Sequence, residues 1–248
     1  MRNRWVVTAL LCLAASASSS VWAEEGASWP DSGADINNIQ SLQRGARNYI
    51  NYCSGCHSMR YMRYTRIGKD LQIPEATLKT DLMYNTKNPY DYVVSSMPVD
   101  SQTWFGKQPP DLSLIARLRG TNYIFAYLKD YYVDPKRPWG VNNLALPGTA
   151  MPAVRASLQG LQKPVYKNET DEHGSATMVL AGVAPLSPGA LKPEEYDQFI
   201  RDITNFLDYV SEPVKAKRQS MGVYVILFLL VLFALAFLLK KEYWKDVH

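Results

Sequence analysis

The chain has 248 residues, of which 47% are hydrophobic, and it carries a formal net charge of +4 at pH 7. This length and composition allow one folded core and leave room for a small additional segment. The excess of basic residues lies at the two ends of the chain, so the charge does not favour a nucleic-acid-binding protein.

The N-terminal segment has the pattern of a secretory signal peptide. Two arginines within the first four residues precede an uncharged stretch of eleven residues at 5–15, and mostly small residues lead up to Ala23. An uncleaved membrane anchor is the alternative, but such a short apolar stretch cannot span about 30 Å of hydrocarbon. We therefore expect residues 1–23 to be removed, together with Cys12.

The expected mature chain begins with an extended arm and a helix. Residues 24–34 are small and polar, and Asp35 can cap a helix over residues 36–52. Apolar side chains recur there at three- and four-residue steps and form one face. These side chains are Ile39, Leu42, Ala46, Tyr49 and Ile50. Shorter helical patterns follow over residues 74–82, 112–119 and 121–132.

The second half of the mature chain combines a long irregular stretch with another helix. Residues 135–183 contain many Pro, Gly and Asn residues and show no clear hydrophobic period. We expect them to form a long surface loop, a kind of segment that often contains functional residues. After Pro193, apolar side chains within residues 196–210 repeat on one helical face, which predicts a packing helix. The expected fold class is mainly α, with long loops.

A membrane helix is predicted near the C-terminus. Residues 221–239 form a run of 19 residues without a charge or a proline. At about 1.5 Å per residue the run spans about 28 Å, close to the hydrocarbon thickness of a bilayer. A buried core helix is the alternative, but a helix of a soluble protein would have a polar face, and this run has none. We therefore expect one C-terminal transmembrane helix.

The orientation of this helix follows from the signal peptide. Three basic residues lie within 215–218 and three within 240–245, so the flanking charges alone are nearly balanced. The signal peptide exports everything that precedes the span. We expect residues 24–214 in the periplasm, residues 215–239 as the basic flank and lipid-embedded helix in the bacterial inner membrane, and residues 240–248 as a cytoplasmic tail.

The exported domain is mildly acidic. The leader contains two basic residues, and the chain from Lys215 onward contains six basic and two acidic ones, so 19 basic and 21 acidic residues remain between them. A domain with this balance lacks the footprint of a nucleic-acid binder. It favours a basic protein as a partner.

The chemistry of the chain is indicated by Cys53, Cys56 and His57, in the sequence Cys-Ser-Gly-Cys-His. Two thiols at this spacing can bond the two vinyl groups of a porphyrin, and the next residue then brings an imidazole to the iron. A zinc site would need two further ligands, and the other histidines, His173 and His248, lie in a loop and at the chain end. A thioredoxin-like dithiol would need a βαβ setting. The motif therefore predicts one covalently bound haem c with His57 as an iron ligand.

The second axial ligand of the iron has several candidates. An electron carrier usually uses a methionine sulfur, which raises the reduction potential relative to a second histidine. Met59 and Met62 are too close to His57 to reach the opposite face of the haem. The remaining candidates outside the membrane span are Met83, Met97, Met151 and Met178. Met151 is favoured because it lies in a loop with Pro and Gly, and Met97 is the second choice.

Several short segments carry a resemblance to a known family and follow one another in the family's order. They are residues 41–45, Tyr49, 53–58, 61–68, Pro-Pro-Asp-Leu-Ser at 109–113, 117–120, the loop around Met151 and the basic-flanked anchor. In these segments the chain resembles the cytochrome c1 family, the haem subunits of the quinol:cytochrome c oxidoreductase or bc1 complex. The haem motif alone is common to many cytochromes, whereas the run at 109–113 and the anchor are more specific. The resemblance covers most of the mature chain.

The resemblance implies roles for individual residues. It makes Met151 the sixth ligand of the iron, opposite His57. It also implies that Arg119 pairs with a haem propionate, which suits the planar geometry of a guanidinium group, although an arginine on a solvated helix face is the alternative. Pro110 and Tyr123 are implied as neighbours of the haem.

The function implied by the resemblance is electron relay by a class I cytochrome c-like domain. A Rieske iron-sulfur protein would donate single electrons, a cytochrome c would accept them, and cytochrome b would complete a dimeric membrane complex. Such a subunit is not an enzyme on its own and has no catalytic residues. The alternatives are a free-standing membrane-anchored carrier, a haem enzyme with an open sixth position, and a thiol oxidoreductase without haem.

Overall fold

The structure, a computed structural model, describes residues 29–170 and 176–246. Outside the described residues lie the predicted signal peptide 1–23 with Cys12, and the histidines His173 and His248. The helices are α1 (Ile39–Tyr52), α2 (Tyr64–Asp70), α3 (Glu75–Asp81), α4 (Gln102–Phe105), α5 (Ile115–Arg119), α6 (Thr121–Lys129), α7 (Ala156–Gln159), α8 (Pro193–Ser211) and α9 (Lys215–Tyr243). The strands are β1 (Met59–Arg63), β2 (Tyr92–Val93), β3 (Tyr131–Val133), β4 (Val141–Asn143), β5 (Gln162–Thr170) and β6 (Ala176–Pro185). They pair antiparallel as β1–β2, β3–β4 and β5–β6.

The centre of the core is the contact between α1 and α8. Leu42 and Tyr49 of α1 are buried against the fold, as are Ile203 and Phe206 of α8. Burying a side chain of this size stabilises the folded state by about 1.5–3 kcal/mol. The apolar faces predicted for both helices are therefore confirmed, and the fold class is mainly α.

Close approach of the two helices depends on Gly45. A Cβ atom at this position would lie 2.0 Å from the carbonyl oxygen of Asp202 and 2.7 Å from Cβ of Phe206. Beside this contact, the buried Asp202 carboxylate accepts hydrogen bonds from Arg44 Nε at 2.6 Å and from the Ser41 hydroxyl at 2.7 Å. The direction of α1 is thus fixed against α8, and so is the end of α1 at which the Cys-x-x-Cys-His motif begins.

The cap predicted for α1 is wrong. The helix begins at Ile39, and the side-chain oxygen of Asn38 caps it by accepting a hydrogen bond from the Ser41 N–H at 3.1 Å. The carboxylate of Asp35 instead accepts the N–H of Asn37 at 2.9 Å in the preceding turn. Asp and Asn are about equally good caps, so propensity alone could not choose between them.

The shorter helical patterns correspond to α3, α5 and α6, each with fewer residues than predicted. Of these, α6 packs on α8 through the buried side chains of Ile124, Phe125 and Leu128. It stops at Lys129 because the next residues, from Tyr131, pair with β4. The end of α6 is therefore held beside the chain that follows β4.

The prediction of one long surface loop over residues 135–183 is wrong. The stretch contains β4, α7, β5 and most of β6, and β5 and β6 form a long hairpin with a register shift after Val165. Every residue of β6 is exposed or half-buried. This strand therefore has no buried face that would require apolar side chains at every second position. A strand without a buried face shows no two-residue hydrophobic period, which is the signal that sequence analysis depends on.

One segment of this stretch does remain irregular. Residues 144–155, here called the methionine loop, connect β4 to α7 and contain Met151. The loop folds over the C-terminal half of α6 and the start of β3, through the contacts of Thr149 and Arg155 described below.

The C-terminal helix α9 is long and apolar enough to cross a bilayer. It has 29 residues, and its best window has a mean hydropathy of 3.0 with none of it buried in the fold. At its start, Lys215 Nζ lies 2.7 Å from the Asp208 carboxylate and Arg218 Nε lies 2.5 Å from that of Glu212. These pairs join the basic flank of α9 to the end of α8.

Candidate functional site

The Cys-x-x-Cys-His motif is a tight turn at the end of α1. The N–H of Cys53 donates to the Tyr49 carbonyl at 2.8 Å, and the N–H groups of Cys56 and His57 both donate to the Cys53 carbonyl, at 3.1 and 2.9 Å. Cys53 is buried, Cys56 is half-buried, and neither forms a disulfide. Local backbone hydrogen bonds therefore bring both thiols and the imidazole to one place.

The imidazole of His57 is oriented by the segment at 109–113. Its Nδ1 lies 2.8 Å from the Pro110 carbonyl oxygen. An Nδ1–H donor to this carbonyl leaves Nε2 unprotonated, which is the form of histidine that binds a metal. The carbonyl of His57 in turn accepts the hydroxyl of the fully buried Tyr49 at 2.6 Å.

The Pro-Pro-Asp-Leu-Ser run is itself tied to the chain that follows the motif. The N–H of Leu112 donates to the Ser58 carbonyl at 2.8 Å, and the N–H of Arg60 donates to the Asp111 carboxylate at 2.9 Å. These bonds hold Pro110 beside His57. The run recognised in the sequence thus forms the wall behind the imidazole.

The electrostatic surroundings favour neutral forms of the motif's side chains. Burial raises the pKa of the Cys53 thiol to about 11, and the charge of Arg155 acts in the opposite direction. Burial lowers the pKa of His57, while its hydrogen bond to Pro110 raises it. At neutral pH the imidazole is therefore neutral, and its Nε2 lone pair is available to bind a metal.

The methionine loop is positioned by side-chain hydrogen bonds from α6 and β3. The hydroxyls of Tyr127 and Thr149 lie 2.9 Å apart, and the Tyr131 hydroxyl donates to that of Tyr127 at 2.9 Å. At the start of the loop, the buried Asn143 accepts two loop N–H groups and donates to the Tyr127 carbonyl at 2.8 Å. Met151, half-buried, lies two residues after Thr149.

The other candidate methionines lie in different surroundings. Met83 is buried in the core, and Met178 is 69% exposed on β6. Met97 borders a cavity of about 350 Å³ that is also lined by Cys56 and Pro110.

Arg119, the last residue of α5, lies beside Tyr123 in the first turn of α6. The guanidinium carbon of Arg119 is 5.4 Å from the centre of the Tyr123 ring, and the arginine is exposed. The Tyr123 ring stacks on Tyr127 with centroids 6.1 Å apart. Burial raises the pKa of Tyr123, and Arg119 opposes this shift. No described carboxylate forms an ion pair with Arg119.

The residues that hold the methionine loop were not predicted as site residues; they are Tyr127, Asn143, Thr149 and Arg155. Tyr127 and Tyr131 are four residues apart within the helix predicted over residues 121–132, a spacing that could have indicated one shared face. Asn143 and Thr149 had no such signal, because their partners are distant in sequence or lie in irregular chain. The arrangement as a whole fits a covalently attached haem, since both thiols are free and the imidazole is already oriented.

The chain is similar in sequence to several known proteins. A family model described as the Cytochrome C1 family matches residues 34–247. The chain is 44% identical to cytochrome c1 of Allochromatium vinosum, over 86% of this chain and 87% of that protein. It is 38% identical to a protein named ammonia monooxygenase gamma subunit from Nitrosomonas europaea, over 86% of each. It is 28% identical to cytochrome b/c1 of Bradyrhizobium diazoefficiens, over 68% of this chain and 25% of that protein.

Proposed function

The chain belongs to the cytochrome c1 family, and from this premise we propose that His57 and Met151 are the axial ligands of its haem iron. As a member of the family it is an electron-transfer subunit of the bc1 complex and not an enzyme on its own. It has one covalently bound haem c, and residues Cys53 and Cys56 fit the Cys-x-x-Cys-His attachment motif. The haem supplies the one-electron chemistry when it is bound.

The chain's own residues bind and orient this cofactor. Cys53 and Cys56 provide the thiols for covalent attachment, and the Pro110 carbonyl keeps the His57 imidazole in the tautomer that presents Nε2. The Tyr127–Thr149 hydrogen bond supports the segment that contains Met151, the residue proposed as the second ligand. Arg119 is proposed to bind a propionate, and Pro110 and Tyr123 to border the haem. The observation that carries this proposal is the motif's preformed turn with its oriented imidazole.

The ligand proposal is tested by the reduced-minus-oxidised spectrum of membranes containing wild-type protein or Met151→Leu. The wild type should show a low-spin c-type band that ascorbate reduces. Met151→Leu should keep its haem in a pyridine haemochrome assay but lose reduction by ascorbate, because the potential falls without the methionine sulfur. Met178→Leu is the matched control, since Met178 lies on the exposed hairpin. An unchanged Met151→Leu spectrum would exclude Met151, and Met97→Leu would then be the next variant.

Membership of the bc1 complex means association with cytochrome b and a Rieske protein. We further propose that the complex is dimeric, that a cytochrome c accepts the electron, and that lipids surround α9. Extraction in mild detergent should recover cytochrome b and an iron-sulfur protein with this chain. A free-standing carrier, or a subunit of a monooxygenase as the name of the Nitrosomonas relative describes, would be recovered without them.

The chain is membrane-anchored, with α9 as a single candidate span among the described residues. We propose the topology expected from the sequence: cleavage of residues 1–23, a periplasmic domain at 24–214, the basic flank and membrane helix at 215–239, and a cytoplasmic tail at 240–248. Protease added to intact spheroplasts should digest the haem domain and leave the tail protected. Digestion of the tail instead would reverse the orientation.

A further inference from the structure

The Pro110 carbonyl that contacts Nδ1 of His57 lies in a segment that cannot anchor itself. Pro109 and Pro110 both lack a backbone N–H, so neither can donate a hydrogen bond to the rest of the fold. The carbonyl belongs to the peptide group that joins Pro110 to Asp111. The contacts of Asp111 therefore decide where this carbonyl points.

The side chain of Asp111 joins the segment of Pro110 to the segment of His57. Its Oδ2 accepts the N–H of Arg60, three residues after His57, at 2.9 Å. Its Oδ1 accepts the N–H of Ser113 at 2.8 Å and closes a turn within its own segment. A hydrogen bond from a backbone N–H to a carboxylate is stronger than one to a neutral acceptor. One side chain thus fixes the two segments against each other.

The Arg60 N–H is a fixed point for this contact. Arg60 belongs to β1, in which Met59 is 0% exposed and Met62 is 1% exposed. A strand with two fully buried side chains cannot move without opening the core. Asp111 therefore holds the Pro110 carbonyl relative to the core of the protein.

Two further hydrogen bonds join the same pair of segments. The N–H of Leu112 donates to the Ser58 carbonyl at 2.8 Å, and the N–H of Tyr61 donates to the Ser113 hydroxyl at 3.2 Å. Ser113 is 1% exposed and carries no charge. It makes the same kind of contact as Asp111, so the two residues allow hydrogen bonding to be separated from charge.

We propose that Asp111 is a positioning residue that sets the reduction potential of the haem through His57. A hydrogen bond from Nδ1 to the Pro110 carbonyl makes the imidazole a stronger electron donor to a metal. A stronger donor favours the oxidised iron, so a firm hydrogen bond lowers the potential. Losing the contacts of Asp111 weakens this bond and raises the potential. This inference rests on the haem site proposed above and requires no contact between Asp111 and the haem.

The test is a redox titration of the full-length protein in its membrane at high ionic strength, followed at the haem band. Asp111→Ala loses both hydrogen bonds and should raise the equilibrium constant for reduction about threefold, equivalent to about 28 mV for one electron. Asp111 is exposed, so salt screens its charge and the shift that remains comes from position. A wild-type potential in Asp111→Ala would overturn the proposal.

Two variants separate hydrogen bonding from charge. Asp111→Asn removes the same charge as Asp111→Ala but keeps one acceptor oxygen, so its shift at high salt should be smaller. Ser113→Ala removes the acceptor of the Tyr61 N–H without changing any charge. It should raise the potential slightly, and equally at low and high salt. Equal shifts in Asp111→Asn and Asp111→Ala would contradict the proposal, because the hydrogen bonds would then be irrelevant.

Asp100→Asn is the matched control. It removes the same charge from an exposed residue earlier in the chain that leads to Pro109. At high ionic strength its potential should equal that of the wild type, because the lost charge is screened. A shift as large as that of Asp111→Ala would assign the effect to net charge and overturn the proposal.

The spectrum separates this inference from the ligand assignment. Asp111→Ala should keep its haem and its low-spin band, while the largest g value of the oxidised haem in electron paramagnetic resonance should change with the donor strength of His57. An unchanged g value would contradict the proposal. If Asp111→Ala loses the low-spin band, Ser113→Ala decides: a raised potential supports the proposal, and a wild-type potential overturns it. The ligand assignment depends on Met151→Leu alone.

Discussion

The two sides of the proposed haem site are built in different ways. The side that contains His57 is a turn at the end of α1, formed by local backbone hydrogen bonds and backed by helix packing. The side that contains Met151 is an irregular loop held by hydroxyl groups of Tyr127, Tyr131 and Thr149. A ligand on a packed helix end should move only when the core opens, whereas a ligand on such a loop can leave by a local opening. Variants that affect one side and not the other can test this difference.

The largest effect is expected for Gly45→Ala, which acts on the His57 side. Its Cβ would meet the Asp202 carbonyl oxygen at 2.0 Å, and that atom is backbone, so α1 and α8 must separate. Overpacking of this kind should reduce the free energy of unfolding by about 3 kcal/mol. Chemical denaturation in detergent, followed by circular dichroism, measures the loss.

Gly182→Ala is the control for this variant, since no atom lies within 4 Å of a Cβ at that position on β6. It should leave the free energy of unfolding within about 0.5 kcal/mol of the wild type. Equal losses in both variants would show that helix packing does not support the His57 side.

Removing single hydroxyl groups should have different effects on the two sides of the site. Tyr127→Phe leaves Thr149 without its tyrosine partner and should weaken the methionine loop by about 1 kcal/mol. An added ligand such as imidazole should then displace Met151 about fivefold faster. Tyr49→Phe removes the bond to the His57 carbonyl and should lower global stability by about 1–2 kcal/mol without changing the displacement rate.

Stopped-flow mixing with imidazole and denaturation curves measure these two quantities on the same samples. Equal displacement rates in the Tyr127 and Tyr49 variants would contradict the proposed difference between the two sides.

The smallest effect is a pH dependence on the Met151 side. Burial raises the pKa of Asp130 to about 6 from 3.8, with Lys129 opposing the shift. A carboxyl group whose pKa is higher in the folded state stabilises the fold below its unfolded pKa. That contribution is lost as the pH rises through about 6. The Asp130 carbonyl accepts the Leu144 N–H at 3.0 Å. The lost stability therefore concerns the start of the methionine loop.

Asp130→Asn cannot ionise, so its free energy of unfolding should stay level where the wild type falls. After allowance for partial exposure, the wild type should lose about 1 kcal/mol between about pH 4 and pH 7. Denaturation curves at several pH values measure this slope. The same slope in both proteins would assign the pH dependence to other groups.

The parts of the fold that sequence analysis recovered are those with a regular apolar face. The buried positions of α1 and α8 follow a helical period because each helix covers one side of the same core. The β5–β6 hairpin was missed because both of its faces are largely solvated, so its side chains follow no period. The cap of α1 was misplaced because Asp35 and Asn38 are equally suitable by propensity.

The cofactor, the anchor and the family could be predicted from the residues alone, because each depends on a pattern of neighbouring residues: the Cys-x-x-Cys-His spacing, an apolar run of 19 residues and the order of short motifs. The surroundings of these residues became known from the folded chain. It brings the Pro110 carbonyl to His57, Tyr127 to Thr149, and the Arg155 side chain to the Leu128 carbonyl. Such contacts join segments far apart in sequence and depend on how the helices pack, which no local pattern records.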